Sequence, residues 1–494
     1  MQEYSPKRRT ALVFSGSGTS GAYHAGVLRA LEESGIKIDL VVGSGVGTIA
    51  AAHAAVDGGA RLYGPGGFWD GLGRRSFFRL RPAARVVLGL LGVSLAVFLL
   101  PVILTLLAGL LFPVALIAER VAPGAPSRLL GRLWIAPEVL SGPYLAALAM
   151  PVFALGLLAM VWTALVLLRD RRRMAESLES FLDAQPGLER LRRSLWEIAR
   201  GVALSSGPRS EAELGRRYVA LAAENLGQPG FREIVLRAAD LDTAGTLAFV
   251  LLGEEHRSSF MAARARERRS RGEAAPGAID LMAPGCDELL FDVLVTGILP
   301  PVALPVRRIA FPRRGLFGGE THRLTDATLG SGSGISEALA AGAEQVIVVS
   351  GAPEAPAPPP RRRGPWARLD ATVSLLERQA LERDVGEAER INRMAATLGH
   401  RTEDASRAWQ DPVTGRVYRE LALYVIRPRR RALGPLEVGG ARDPATEVVQ
   451  TTADLLEQGY RDAYRLFVGP VVGAAPAPPR ESARERGEPQ TIGL

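Results

Sequence analysis

A single cysteine, Cys286, in 494 residues leaves no partner for an intrachain disulfide. That excludes a disulfide-stapled scaffold and suits a reducing compartment; Cys286 itself reads as a small buried apolar residue near Leu289 and Phe291. Aromatic residues are scarce, at 6%. The five histidines, His24, His53, His256, His322 and His400, show no metal-ligand spacing, so each reads as a surface or helix residue, and neither metal nor cofactor is expected. The formal charge is +8 and almost all of the basic excess is arginine, yet no zinc-ligand pattern or basic recognition helix accompanies it. Nucleic acid is therefore excluded as the expected partner. Acidic and basic residues are also missing from two long stretches, Val86 to Ala118 and Val139 to Leu168.

What is present is concentrated in the first fifty residues, which read as strand, glycine loop, helix, strand, sharp turn, helix: ALVF, SGSGTSG, AYHAGVLRALEESG, IDLVV, GSGVG, TIAAAHAAVDGG. Two glycine-rich turns, each after an apolar strand and before a helix, aim helix N-termini and free backbone N–H groups at one spot. Such a spot suits an anion or a developing oxyanion. A hydrolase built on this layout needs Gly-x-Ser-x-Gly at the second turn, with the serine on a strained elbow. The chain has Gly43-Ser44-Gly45-Val46-Gly47 instead, and no Gly-x-Ser-x-Gly elsewhere.

The stretch FSGSGTSGAYHAGVLRALEESGIKIDLVVGSGVGTIAAA resembles the N-terminus of the patatin-like phospholipase family. VTGILPPVALPVRRIAF and LTDATLGSGSGISEALAAGAEQVIVVS resemble the family's segments before and around its catalytic aspartate, and LYVIRP and LLEQGYRDAYRLF its closing strand and helix. The resemblance implies a three-layer α/β/α sandwich around a mainly parallel sheet, and an ancestry in lipid acyl-ester hydrolysis by a Ser-Asp dyad without a cofactor. Carried over by position, the oxyanion loop falls on Gly16, Ser17, Gly18, Thr19, Ser20 and Gly21. The nucleophile position falls on Gly45 and the dyad acid on Asp326, in Asp326-Ala327-Thr328 where the family has glycines after the aspartate.

Glycine at position 45 supplies no Oγ, and loss of a serine nucleophile costs roughly six orders of magnitude in a comparable hydrolase. The expectation is a catalytically impaired copy serving as a lipid-binding or regulatory module. Two alternatives stay open. One is an active lipid hydrolase with a displaced serine, for which Ser44 is the candidate; Ser17 and Ser20 read as turn residues. The other is a nucleotide-binding module through Gly-x-Gly-x-x-Gly, whose ribose-binding acid would have to be Asp39, placed before the second strand rather than after it.

The two uncharged stretches each exceed the roughly 20 residues of a spanning helix and are expected to form a transmembrane hairpin, with spans near 86–112 and 144–168. A pair of long buried helices in a soluble core is the alternative. Arg74, Arg75, Arg79, Arg81 and Arg85 precede the hairpin, Arg169, Arg171, Arg172 and Arg173 follow it, and only Arg120, Arg128 and Arg132 lie between the spans. The positive-inside rule then places the body on the cytoplasmic face of a membrane, as at a bacterial inner membrane, with membrane lipids as its partners and no protein partner specified. The N-terminus, MQEYSPKRRT, carries no cleavable-signal pattern. Residues 1–80, 174–351 and 366–472 are expected to form one interrupted domain, with the hairpin at 81–173, a Pro/Arg-rich linker at 352–365 and a disordered tail at 473–494. The run Arg264, Arg266, Arg268, Arg269 and Arg271 reads as a solvated face or as a contact for anionic headgroups.

Overall fold

The computed structural model describes residues 4–72, 182–201, 207–270, 277–298, 306–314, 317–329, 332–354, 365–401, 407–410 and 417–473 with breaks at 431–432, 435–436, 438–439 and 443–447. It also describes Arg79–Leu80 and the isolated residues Gly89, Gly92, Leu110, Ile117 and Leu158. The chain divides into two compact units, Met1–Phe78 with Ala184–Leu494, and Arg79–Asp183.

The larger unit is built on a nine-stranded sheet. Its strands are β1 (Thr10–Gly16), β2 (Leu40–Gly45), β3 (Glu233–Asp240), β4 (Gly245–Leu251), β5 (Ala278–Asp280), β6 (Arg307–Ala310), β7 (Thr321–Asp326), β8 (Gln345–Ser350) and β9 (Ala422–Ile426). The order is β9-β8-β1-β2-β3-β4-β5, and the centre from β9 to β3 is parallel throughout. β1, β2 and β8 are buried at every residue, which is why their sequences run apolar without alternation. The segments REIVLRAADLDT and TLAFVLLG, ambiguous between helix and strand in sequence, form the antiparallel pair β3 and β4.

Alternate residues divide between the two sheet faces. Ala11, Val13, Leu40, Val42, Val235, Val346 and Val348 pack with Phe260, Ile335, Ala338, Leu381 and Ala388 of three helices, α5 (Glu254–Ser270), α7 (Ile335–Ala340) and α8 (Pro365–Leu398). On the other face Phe14 and Gly43 meet α2 (Gly47–Ala54), a helix buried at every residue. Helices thus cover both faces of a mostly parallel sheet. The remaining helices of this unit include α1 (Ser20–Glu33), α3 (Gln185–Ala199), α4 (Glu211–Glu224), α6 (Leu290–Ile298) and α9 (Thr452–Ala463). Pro186 opens α3, Ser210 accepts from the Glu213 N–H at the start of α4, and Thr451 with Asp454 forms a capping box on α9. Helices α1 and α9 cross so closely that a Cβ on Gly26 would lie 1.8 Å from the Leu456 carbonyl oxygen.

In the smaller unit, Arg79–Leu80 pairs antiparallel with Leu182–Asp183, so the segment between them leaves and returns side by side. Among the described residues no helix is long and apolar enough to cross a membrane. The expected spans at 86–112 and 144–168 lie outside the described residues except for Gly89, Gly92, Leu110 and Leu158, which are helical. Of these, Leu110 is 74% and Leu158 60% exposed. The 352–365 linker is described only at its two ends, and the tail beyond Gly473 not at all.

Candidate functional site

The register of three strands brings the site together. Strand β2 covers one edge of β3 only as far as Ser44, which pairs with Arg237. From the next residue, Ala238, the same edge is taken by β7, beginning with Asp326. The carboxylate at the end of β7 therefore meets the turn at the end of β2 head-on. Gly45 is also paired with Gly16, where β1 ends and the glycine loop begins. Asp326, Gly45 and the loop converge because three strands stop at one place.

Gly45 has a φ of +59°, a left-handed conformation that a nucleophile elbow requires. The space for a nucleophile is filled, however. A Cβ at position 45 would lie 2.3 Å from Thr328 Oγ1, 2.4 Å from the Gly16 carbonyl oxygen and 2.6 Å from Asp326 Oδ1. Thr328 donates to Asp326 Oδ1 from its N–H at 2.7 Å and its hydroxyl at 2.5 Å. The other carboxylate oxygen, Oδ2, accepts from Ser17 Oγ at 2.6 Å. Burial pushes the Asp326 carboxyl up to about 6; the bonds from Ser17 and Thr328 hold it down, and the neighbouring Glu377 carboxylate adds to the rise.

The glycine loop is equally occupied. The Ser17 N–H donates to Glu377 Oε1 at 2.7 Å, from a residue on α8 that is 3% exposed. The Val46 N–H, which follows the elbow position, donates to the Gly16 carbonyl at 2.9 Å. N–H groups of Ser20, Gly21 and Ala22 serve the first turn of α1, bonding to the carbonyls of Ser17, Gly18 and Thr19. Thr19 donates its hydroxyl to the Gly434 carbonyl at 2.9 Å. Ser20 lies beneath Gly351, where a Cβ would stand 2.0 Å from the serine Oγ.

Ser44 is not part of this cluster. It lies on the opposite sheet face, where its Oγ accepts from Arg237 Nη1 at 2.8 Å. Arg237 in turn pairs with Glu337 at 3.1 Å, and Arg264 reaches the same Glu337 oxygen at 3.3 Å. Burial alone would raise the Glu337 carboxyl, but the two guanidiniums outweigh it and hold it below the usual range. Asp39 lies at the far end of the strands from the glycine loop, accepting from the Thr10 N–H at 2.9 Å. No ribose-binding acid follows the loop there.

The histidines also settle into place. His24 and His53 are fully buried, and burial lowers His53 to about 4, with Nδ1 on the Ile49 carbonyl at 2.8 Å and Nε2 on Ser194 Oγ at 2.5 Å. His322, unremarkable in sequence, comes together with Asp240 and Asp242, ligand atoms all within 4.8 Å of one another. These groups are spent on internal partners. His322 Nδ1 and Thr243 Oγ1 each lie 2.8 Å from Asp240 Oδ2, and Arg323 closes on Asp242 Oδ1 with Nε at 2.9 Å and Nη2 at 2.7 Å.

The fold brings Asp326, Gly45 and the loop together; two neighbours without a motif in the sequence are Thr328, which fills the elbow, and Glu377, which occupies the loop. Glu377 left one signal: it is an acid within the apolar stripe Val373, Ala380, Leu381 and Ala388, all buried.

An α/β protein with two glycine turns facing a strand-end carboxylate is thus defined by geometry alone. Residues 12–135 match the family model described as Patatin-like phospholipase, a span that takes in both turns. No curated protein matches the chain significantly. Among solved structures the chain is similar to the crystal structure of VipD from Legionella pneumophila, at 11% identity and a TM-score of 0.29, over 94% of this chain and 67% of that one.

Proposed function

We infer that this protein descends from lipid acyl hydrolases and serves as a membrane-anchored lipid-binding or regulatory module with impaired catalysis. The observation that carries the reading is the filled elbow: Thr328, Asp326 and the Gly16 carbonyl all lie within 2.6 Å of where a side chain at position 45 would begin. With no Oγ at the elbow there is no covalent acyl intermediate by the Ser-Asp route. Membrane anchoring rests on the charge-free runs, the arginine flanks and the side-by-side entry and exit of the inserted segment. A fluorophosphonate probe tests the reading directly. The purified protein is expected to remain unlabelled and to release no fatty acid from phospholipid vesicles; labelling at an enzymatic rate overturns it.

One observation favours a second reading, a hydrolase with a displaced serine. The serine it favours is Ser17, whose hydroxyl lies 2.6 Å from Asp326, rather than Ser44. Against it, Ser17 is fully buried and its N–H is held by Glu377. Labelling that disappears in Ser17→Ala and persists in Ser44→Ala selects this reading.

A further inference from the structure

We propose that the edge of the sheet at which β1 and β2 end is a docking surface for an anionic lipid bilayer, built from the end of α5 and the start of α8. The proposal deepens the reading of the chain as a membrane-anchored lipid module, and rests on it.

Two arginine clusters lie far apart in the chain, and the fold sends both off one edge of the sheet. Helix α5 follows β4, whose last residue, Leu251, pairs with Ile234 at the start of β3. It then runs toward the other edge, where Arg264 and Arg237 share Glu337 and Arg237 pairs in register with Ser44 near the end of β2. Arg264 is thereby taken out of the exposed arginine run. The six residues of α5 beyond it carry Arg266, which is exposed, and Arg268 and Arg269 past that level. Helix α8 runs the opposite way. Asn392 exchanges two hydrogen bonds with the Leu421 backbone just before β9, whereas Glu377 meets the Ser17 N–H just after β1. The twelve residues of α8 before Glu377 therefore extend outward past the same edge, about 18 Å of helix at 1.5 Å per residue. Arg361-Arg362-Arg363 lead into them in sequence, and Arg368 is exposed in their first turn. A third segment joins these two. β7 continues the sheet past the end of β2, so the loop from β6 into β7 overhangs the same edge, with Arg313 and Arg314 exposed against a single acid, Glu320.

A helix dipole accounts for the charges of α5, which opens on Glu254 and Glu255 and ends on arginine. It works against those of α8. A helix N-terminus favours acids and disfavours cations, yet the first turn of α8 has no acid and is preceded by three arginines. The outer face of α8 changes character at the level of the sheet edge. From Arg368 to Gln379 its exposed positions are basic, apolar or uncharged, with Leu375 54% and Leu376 36% exposed; from Glu382 onward they mix acid and base. Leucines on an acid-free helix face, with arginines beside them, match a surface that is anionic outside and apolar beneath, which is a bilayer of acidic lipids.

The test uses full-length protein reconstituted into vesicles of phosphatidylcholine alone or with about one third phosphatidylglycerol. An environment-sensitive dye is attached at Leu375→Cys; the native Cys286 is buried. Its emission should move to the blue only in the mixed vesicles, and return as salt is raised. The same dye at Leu398→Cys, exposed at the other end of α8, should stay in water in both. Arg266→Gln and Arg368→Gln, both at exposed positions, should each lower the ratio of docked to undocked protein about fivefold. An equal shift in phosphatidylcholine alone, or at both dye positions, overturns the proposal, and so does undiminished docking of the double variant. Soluble polyglutamate that produces the same shift on phosphatidylcholine vesicles makes the partner an acidic chain and overturns the lipid assignment. Flotation keeps the two readings apart: protein that floats with neither vesicle sinks the membrane anchoring, whereas a dye that stays in water on protein that floats sinks only the docking surface.

Discussion

Ser17 donates its hydroxyl to Asp326 across 2.6 Å, joining the end of the first strand to the end of the seventh in a fully buried contact. In a working Ser-Asp dyad the aspartate would face a hydroxyl at position 45. Here the bond is made instead by a loop serine, and Asp326 ties β7 to the glycine loop. Replacing Ser17 by alanine strips a charged acceptor of one donor and is expected to cost about 1.5–3 kcal/mol. Urea unfolding measures this; a loss under about 0.5 kcal/mol would make the contact incidental.

Restoring the nucleophile alone should fail. Gly45→Ser puts a side chain where Thr328 and Asp326 already stand, at a φ of +59°, and is expected to destabilise by about 1–3 kcal/mol without activity. Adding Thr328→Gly removes the nearest obstruction and should recover part of that loss. Hydrolysis of a short p-nitrophenyl ester, if it returns at all, should return only in the double variant. A single Gly45→Ser as stable as wild type would show that the elbow has room after all.

On the opposite sheet face, Glu337 holds Arg237 and Arg264 together where all three are nearly or fully buried. Glu337→Gln leaves two guanidiniums facing a neutral amide, and is expected to cost about 3–5 kcal/mol. The variant's unfolding midpoint measures it. Retention of wild-type stability would mean that the buried charge is compensated elsewhere.

Two buried groups give opposite responses to acid. Asp326 is raised from 3.8 to about 6, so its contribution is complete below pH 3.8 and is lost as pH rises through about 6, a change of about 3 kcal/mol. His53 is lowered from 6.5 to about 4, so its contribution is complete above pH 6.5 and is lost as pH falls through about 4, by a similar amount. Between pH 4 and 6 the two nearly cancel. Asp326→Asn removes the first and should leave a protein whose stability climbs more steeply with pH than wild type across this window. Parallel stability-pH curves for the two proteins would contradict the assignment.

The strand pair Arg79–Leu80 with Leu182–Asp183 offers a junction at which the inserted segment can be cut out. Replacing 81–181 by a short Asn-Gly turn should give a body that still unfolds cooperatively and no longer floats with vesicles. A shortened chain that still floats would place membrane attachment elsewhere, for instance on the arginines of α5.

Local sequence chemistry suffices for the scaffold around the site. Short apolar runs such as ALVF and VIVVS, each bounded by glycine or serine, read as buried strands, and glycines at 16, 18, 21, 43, 45 and 47 punctuate the two turns, so the order of strand, loop and helix follows from local chemistry. That position 45 is glycine is equally plain, because a residue's identity needs no partner to be read. How the space around Gly45 is filled depends instead on long-range packing. Ser17 lies 309 positions from Asp326 and 360 from Glu377, and neither pairing has a periodic or motif signature. Such contacts are set by where β2 stops along the edge of β3 and by which side of α8 faces the loops. Register and helix rotation come from packing across the whole sheet, so the filling of the elbow by Thr328 and of the loop by Glu377 became visible only in the folded chain.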